Sequence, residues 1–314
     1  MLNVCPSAAT LHLADAMWID LVDPTGDERA QVERTTNIRL PSKADIEEIE
    51  SSSRVYAENG ALYLSSPVLE HTDCMNASVT AVGFVLSHDK LVTQRFGKLA
   101  AFDTVISGCD KAPPADATDA FLKILETIVD QLADGLEHSS SELEKISHAS
   151  FRAEHPRRNR AKSSDALRVA LRNLGRIGDG ISHVRDTLLG FARISAFLRD
   201  NDHLKLPHSE VTRLGAIRTD INSLSDYQAH LASKVQFLLD ATLGFINIEQ
   251  NDVVKTLTVV SVVGVPPVLI AGIYGMNFKN IPEFNWSFGY PYALALIVVS
   301  GLLPLACFKW RGWL

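Results

Sequence analysis

The hydrophobic rhythm of the chain changes three times. Between residues 1 and 105, apolar positions come in short runs broken by turn residues. WIDLV (18–22) and ALYLSSPVL (61–69) have the composition of strands. Asn59-Gly60, between YAE and ALYL, predicts a tight hairpin, because both residues tolerate a positive φ. AVGFVLSHDKLVTQRF (81–96) reads as a second hairpin turning near His88-Asp89. SKADIEEIESSS (42–53) predicts one short acidic helix with Ser42 as its N-cap. The expectation for this part is one sheet with helices packed on it.

From 115 to 200 the period lengthens to that of a helix. FLKILETIVDQLADGLEHSSSELEKI (121–146) gathers Leu122, Ile124, Leu125, Ile128, Val129 and Leu132 on one face and carboxylates on the other. A second long helix is predicted over 164–200, so the two form an antiparallel hairpin around HPRRNRAK (155–162), a solvated basic connector. Pro207 can open a third helix, with little to stop it before Gly264-Val265-Pro266-Pro267. That is about 57 residues, or ~85 Å at 1.5 Å per residue. Its apolar positions, from Val211, Leu214 and Ile217 to Val235 and Leu238, recur at the spacings of a coiled-coil-like or oligomeric stalk.

Two uncharged apolar runs close the chain, Leu257 to Tyr274 and Pro291 to Phe308, each long enough to cross a bilayer. Pro266-Pro267 predicts a kink in the first, which tightly packed neighbours can tolerate. Lys309 and Arg311 follow the second run, whereas the intervening loop holds Lys279 alone. The positive-inside rule then places both termini in the cytoplasm. Trp286, Tyr290 and Tyr292 at one interface, with Trp310 and Trp313 at the other, fit aromatic belts. The predicted division is a cytoplasmic α/β and helical-hairpin domain (1–206), a stalk helix (207–252), a first transmembrane helix (253–274), an outer loop (275–290), a second transmembrane helix (291–308) and a basic tail (309–314).

Charge sharpens this picture. From Val253 onward four Lys and Arg face one Glu, a net +3, so the formal total of −7 leaves −10 on the rest of the chain. An acidic soluble part argues against a nucleic-acid partner and suits the handling of cations. The four cysteines, Cys5, Cys74, Cys109 and Cys307, are scattered with no CxxC pair. They suit a reducing compartment and offer no thiolate metal site. No basic region precedes an apolar core at the N-terminus, so no cleavable signal peptide is expected and the C-terminal spans direct insertion. There is no GxxxxGK[ST] and no set of residues placed for nucleophilic catalysis, so no enzyme is expected. His71, Asp73 and Cys74 of EHTDC (70–74) read as loop residues.

A polar stripe runs along the third helix. Steps of four and three from Asp240 reach Asn247, Asn251, Thr258 and Ser261 on nearly one face. Amides and hydroxyls entering a membrane should face a protein partner or a water-filled path. A dry reading remains, in which Thr258 and Ser261 bond back to their own helix and the asparagines set register. On the path reading, Val254, Leu257, Val265 and Val268 are the apolar rings that narrow it.

GFINIEQN (244–251), TVVSVVGVPPVLIAGIYGMNF (258–278), IPEFNWSFGYP (281–291) and FKWRGWL (308–314) together resemble the CorA family of magnesium transporters. WIDLVDP (18–24), DIEEIESSSRVYAENGALYL (45–64) and FVLSHDKLVTQRF (84–96) look like its cytoplasmic domain, so the resemblance covers nearly the whole chain. It implies a funnel-shaped homopentamer in the bacterial inner membrane, with an α+β cytoplasmic domain and a long stalk helix continuing into the pore-lining span. It implies passive, gated influx of hydrated Mg²⁺, with Co²⁺ and Ni²⁺ accepted and no organic cofactor. Gly275, Met276 and Asn277 become the selectivity mouth, and Glu283 the acidic residue of the outer loop that attracts cations. Pro282-Glu283 favours this family over the related ZntB branch, associated with zinc. Two other readings are a zinc or transition-metal transporter and a membrane-tethered oligomeric structural or signalling protein. The resemblance also implies closure by cytoplasmic Mg²⁺ bound between neighbouring subunits, for which Asp220, Asp226, Glu47, Glu48 and Glu50 are the regulatory candidates.

Overall fold

The structure is a computed structural model, and it describes the chain apart from residues 6–12, 14, 49, 72–76, 110, 153–159, 201–205, 278–281 and 314. HPRRNRAK (155–162) and Lys279 therefore lie wholly or largely outside the described residues, as do Asp73 and Cys74. The chain forms two compact units, Met1–Asn159 with Arg168–Asp240, and Arg160–Leu167 with Ala241–Leu314.

The first unit is built on a six-stranded sheet in the order β1-β2-β6-β5-β4-β3. Its strands are β1 (Leu2–Cys5), β2 (Trp18–Val22), β3 (Val55–Glu58), β4 (Ala61–Leu69), β5 (Val79–Leu86) and β6 (Leu91–Arg95). Only β2 and β6 pair in parallel. Both predicted hairpins form. Asn59 and Gly60 turn at φ of 51° and 79°, as a two-residue reversal between β3 and β4 requires. The sheet is covered on both faces, so β4, β5 and β6 are largely buried on both sides. One face packs Ile19, Leu21, Tyr63, Val85 and Val92 with Val32 of α1 (Gly26–Thr36). The other packs Trp18, Leu64 and Phe84 with Phe102 of α4 (Ala100–Cys109), Phe121 of α5 (Ala117–Arg152) and Phe191 of α6 (Arg160–Asp200).

One predicted helix is corrected. The stretch 42–53 is two short turns, α2 (Lys43–Glu47) and α3 (Ser51–Arg54). Ser42 caps α2 as expected, in a reciprocal capping box with Asp45. Glu48 then turns extended at φ −60° and ψ 139°, and Ser51–Ser53 have too little helix propensity to continue the turn.

The cysteines are also corrected. Cys5 and Cys109, read as unpaired, form a disulfide across 104 residues. Their spacing carries no signal because the sheet order, not the sequence, brings the end of β1 beside the end of α4.

α7 (His208–Tyr274) is a single helix of 67 residues. Its first half belongs to the sheet-bearing unit. Arg213 pairs with Asp119 and Glu126 of α5, while Phe237 stacks on Phe151. Partners advance together on α5 and α7, so these two helices are parallel. Gln228 reaches the Ile181 carbonyl at 3.2 Å, and Val235 lies against Gly178, so α6 runs the other way. The antiparallel hairpin of α5 and α6 is thus as expected.

In the second unit α7 passes through Pro266-Pro267 without a break, and α8 (Gly289–Trp310) packs on it there. A Cβ built on Gly301 meets Pro267 at 3.4 Å and the Val263 carbonyl at 3.7 Å. The Val263 carbonyl has lost its helical donor to Pro267, and α8 packs beside it at Gly301 with room for ordinary contact.

Candidate ion path and its outer mouth

α7 ends at the Gly275-Met276-Asn277 turn. The Gly275 amide still donates to the Ala271 carbonyl at 2.9 Å, and the Met276 amide donates to Ile273 at 3.2 Å, tightening the last turn to the three-residue kind. Gly275 ends the helix without the left-handed conformation of a common C-cap. Its role is steric: a Cβ there would press on the Ala271 carbonyl at 3.2 Å. Gly275, Met276 and Asn277 are all exposed. The carboxyl-terminal end of the helix dipole therefore meets solvent at an uncharged side-chain amide, a setting that favours a cation without fixing it.

Glu283 lies in a 3-10 turn, Pro282–Asn285, that leads into α8. Its carbonyl accepts from the Trp286 amide at 3.2 Å. Gly289 is obligatory beneath it, because a Cβ there would stand 2.2 Å from the Glu283 carbonyl oxygen. Trp286 and Tyr292 meet edge-on at 6.0 Å and stay largely exposed, as do Tyr290, Trp310 and Trp313.

Along α7, Asp240, Asn247, Asn251 and Ser261 are exposed and Thr258 is partly so. Two of these polar groups are already engaged. Asp240 accepts from Gln236 at 3.1 Å, and the Thr258 hydroxyl donates to the Val254 carbonyl at 2.8 Å. The back-bonding considered for Thr258 is therefore present, and its remaining lone pair is what it can offer outward. Val254, Leu257, Val265 and Val268 are 58–72 % exposed in the single chain. Apolar rings this bare require lipid or other copies of α7 around them.

The regulatory candidates are not brought together. Glu47 is taken up by Lys43 at 3.6 Å, Glu48 and Glu50 flank the break after α2, and Asp220 and Asp226 lie on the exposed side of α7. Asp220 does belong to an acidic group that the sequence reading missed. Burial, then the charges of Glu126, Asp134 and Asp220, hold the Asp130 carboxyl above its ordinary range. Only the α5–α7 pairing reveals that neighbourhood. Among the described residues no three His, Cys, Asp or Glu side chains gather at metal-binding range.

The second group missed lies at the start of α7. Glu210 is nine-tenths buried, and its pKa is pushed up to about 7 by burial first and then by the Asp116 carboxylate. Arg213 beside it is raised by Glu126 and Asp119.

Three comparisons place these features among known proteins. The family model described as CorA-like Mg²⁺ transporter protein matches residues 14–310. The magnesium transport protein CorA of Haemophilus ducreyi is 35% identical over 305 residues, covering 96% of this chain and 93% of the relative. That of Escherichia coli K12 is 35% identical over 304 residues with the same coverage. In fold, the chain resembles the complete CorA magnesium transporter from Methanocaldococcus jannaschii, with a TM-score of 0.76 at 20% identity over 100% of this chain and 98% of that one. A ZntB cytoplasmic domain from Vibrio parahaemolyticus matches at TM-score 0.51 and 12% identity, over 73% of this chain and 87% of that one.

Proposed function

The chain belongs to the CorA family of Mg²⁺ transporters, and from that premise we propose that it carries hydrated Mg²⁺ passively into the cell through a pore lined by α7. It is a transporter rather than an enzyme, and its relatives together with its two long apolar helices support an inner-membrane location. The observation that carries the reading is the continuity of α7 from the acidic soluble unit to the exposed Gly275-Met276-Asn277 turn. One helix thereby links the mouth, the polar stripe and the apolar positions.

Five copies around an axis would turn Asp240, Asn247, Asn251, Thr258 and Ser261 into rings and cover the bare valines. A neutral path suits an ion that keeps its water, and Mg²⁺ dehydrates reluctantly. Asn277 supplies an acceptor without a full charge, so an arriving divalent ion is held weakly enough to leave. Glu283 raises the local cation concentration. With both termini cytoplasmic, the drive is the membrane potential, about 2 × 2.3 kcal/mol per 100 mV for a divalent ion. Val254, Leu257, Val265 and Val268 close the path by dewetting. Co²⁺ and Ni²⁺, similar in size and hydration, pass by the same route.

Feedback by cytoplasmic Mg²⁺ would draw on carboxylates from neighbouring copies; among the described residues of one chain no three such groups gather. Asp220, Asp226, Glu47, Glu48 and Glu50 are exposed enough to supply them. The boundaries proposed for soluble domain, stalk, spans and tail are those given above.

Uptake into liposomes loaded with a Mg²⁺ indicator tests the reading. Wild type should admit Mg²⁺ well above protein-free vesicles, and Asn277→Ala should lower the rate by about tenfold or more, the loss of one charge-directed contact. Leak-level uptake by wild type sinks the proposal. Zn²⁺ transported in preference to Mg²⁺ turns it into the zinc reading.

A further inference from the structure

We propose that Cys5 and Cys109 are a reversible thiol switch that fastens the N-terminal edge strand to α4 under oxidising conditions. The two residues end their elements, β1 and α4, with Cα atoms 6.1 Å apart. That separation is set by the backbone, and it is within reach of a disulfide. Both side chains are buried, at 1% and 2% exposure, in the core between the sheet and its helices. Cys307 lies on α8 in the other unit, so among the described cysteines Cys5 and Cys109 have only each other in their own unit.

For the side of the membrane, the inference rests on the orientation proposed above. A cytoplasmic soluble unit sits in a thiol-reducing compartment, where a permanent disulfide is unusual and a transient one is a response. The bond forms by two exchanges with a low-molecular-weight disulfide such as glutathione disulfide. A thiolate of one cysteine attacks a sulfur of the small disulfide and releases one small thiolate. The thiolate of the other cysteine then attacks the resulting mixed disulfide and releases the second. Two protein thiols become one disulfide, and the small disulfide takes up both electrons and both protons as two thiols.

Position makes the exchange conditional. β1 is a four-residue strand at the edge of the sheet, paired with β2 alone. Its start is held by the Met1 ammonium on the Val22 carbonyl, at 2.7 Å, and by Glu28. Attack on the buried sulfurs waits for β1 to leave β2, so local opening rather than thiolate formation limits the rate. Once made, the bond closes a loop of 104 residues that contains most of the sheet and resists that opening.

Thiol counting by mass spectrometry on the full-length protein tests this without using transport as a readout. The reduced, denatured chain should take up four alkyl groups, one per cysteine. After glutathione disulfide, two should remain, with a Cys5–Cys109 linked peptide and full reversal by dithiothreitol. The thermal midpoint should rise on oxidation in wild type and stay constant in Cys5→Ser, with Cys109→Ser as the second check. In growing cells, acid-trapped protein should show four thiols before a disulfide stress and two after it. No linked peptide at any glutathione ratio, or an unmoved midpoint, overturns the switch. A bond already complete in unstressed cells overturns it as well, by making it a permanent link. Transport that fails while thiol counts behave as stated would count against the Mg²⁺ reading alone.

Discussion

Asp20 sits 1% exposed on β2, and three side chains converge on it. Arg95 pairs with it at 3.0 Å, Thr93 donates at 2.7 Å and Asn3 at 3.2 Å, while Trp18 donates to Thr93 at 3.0 Å. Arg95 also reaches Asp103 of α4 and lies over the Phe102 ring. A buried ion pair adds little net stability, but breaking one strands a charge. Asp20→Asn should therefore destabilise the soluble unit by about 3–5 kcal/mol, read as a lowered thermal midpoint. Glu210 behaves differently. Its folded pKa of about 7 stands above the ordinary 4.5, so the proton binds the folded state more tightly. The stability this contributes is present below the ordinary value and is lost as pH rises through about 7. The wild-type thermal midpoint should fall over that window, and Glu210→Gln should flatten the slope and stabilise at alkaline pH by the order of 2 kcal/mol.

Among the elements, close approaches depend on single glycines. Gly190 of α6 lies against β4, and a Cβ there would stand 2.1 Å from the Ser66 hydroxyl. Gly190→Ala should cost about 1–3 kcal/mol of stability, and Ser66→Ala in the same chain should recover part of it. At Gly301 a Cβ makes ordinary contact, so Gly301→Ala should be tolerated, whereas Gly301→Leu should separate α8 from Pro267 and reduce assembly in detergent. Elements with a strong period were legible in the sequence. β2, β4, both hairpins, α5, α6 and α7 announce themselves through apolar spacing and turn residues. β1, α1 and α4 did not: β1 has four residues, α1 buries Val32 alone, and α4 is apolar enough to pass for a strand or a loop. The Cys5–Cys109 bond, the Glu210–Asp116 pair and the Asp130 neighbourhood depend on contacts between distant segments, and no local pattern encodes those. Gly275, Met276 and Asn277, the proposed mouth, stand out in the sequence because they are contiguous.

For the whole molecule, charge is unevenly divided along the chain. A net −10 on residues 1–252 and +3 on the rest follow from the sequence, and α7 runs from the acidic part into the first apolar run. Val254 and Val265 are exposed on that helix, so a pentamer would bring five of each to its axis. Val265→Ser should wet the constriction and raise Mg²⁺ entry when internal Mg²⁺ is high; unchanged flux in a properly assembled variant would remove Val265 from the gate. In the proposed function, a divalent ion moves down its electrochemical gradient through this helix. The most direct measurement of that movement is Mg²⁺ entry into liposomes under an imposed potassium diffusion potential. An interior made negative by about 60 mV should speed initial entry several-fold over zero potential, and an interior made positive should slow it. Entry that ignores the sign of the potential would contradict the account.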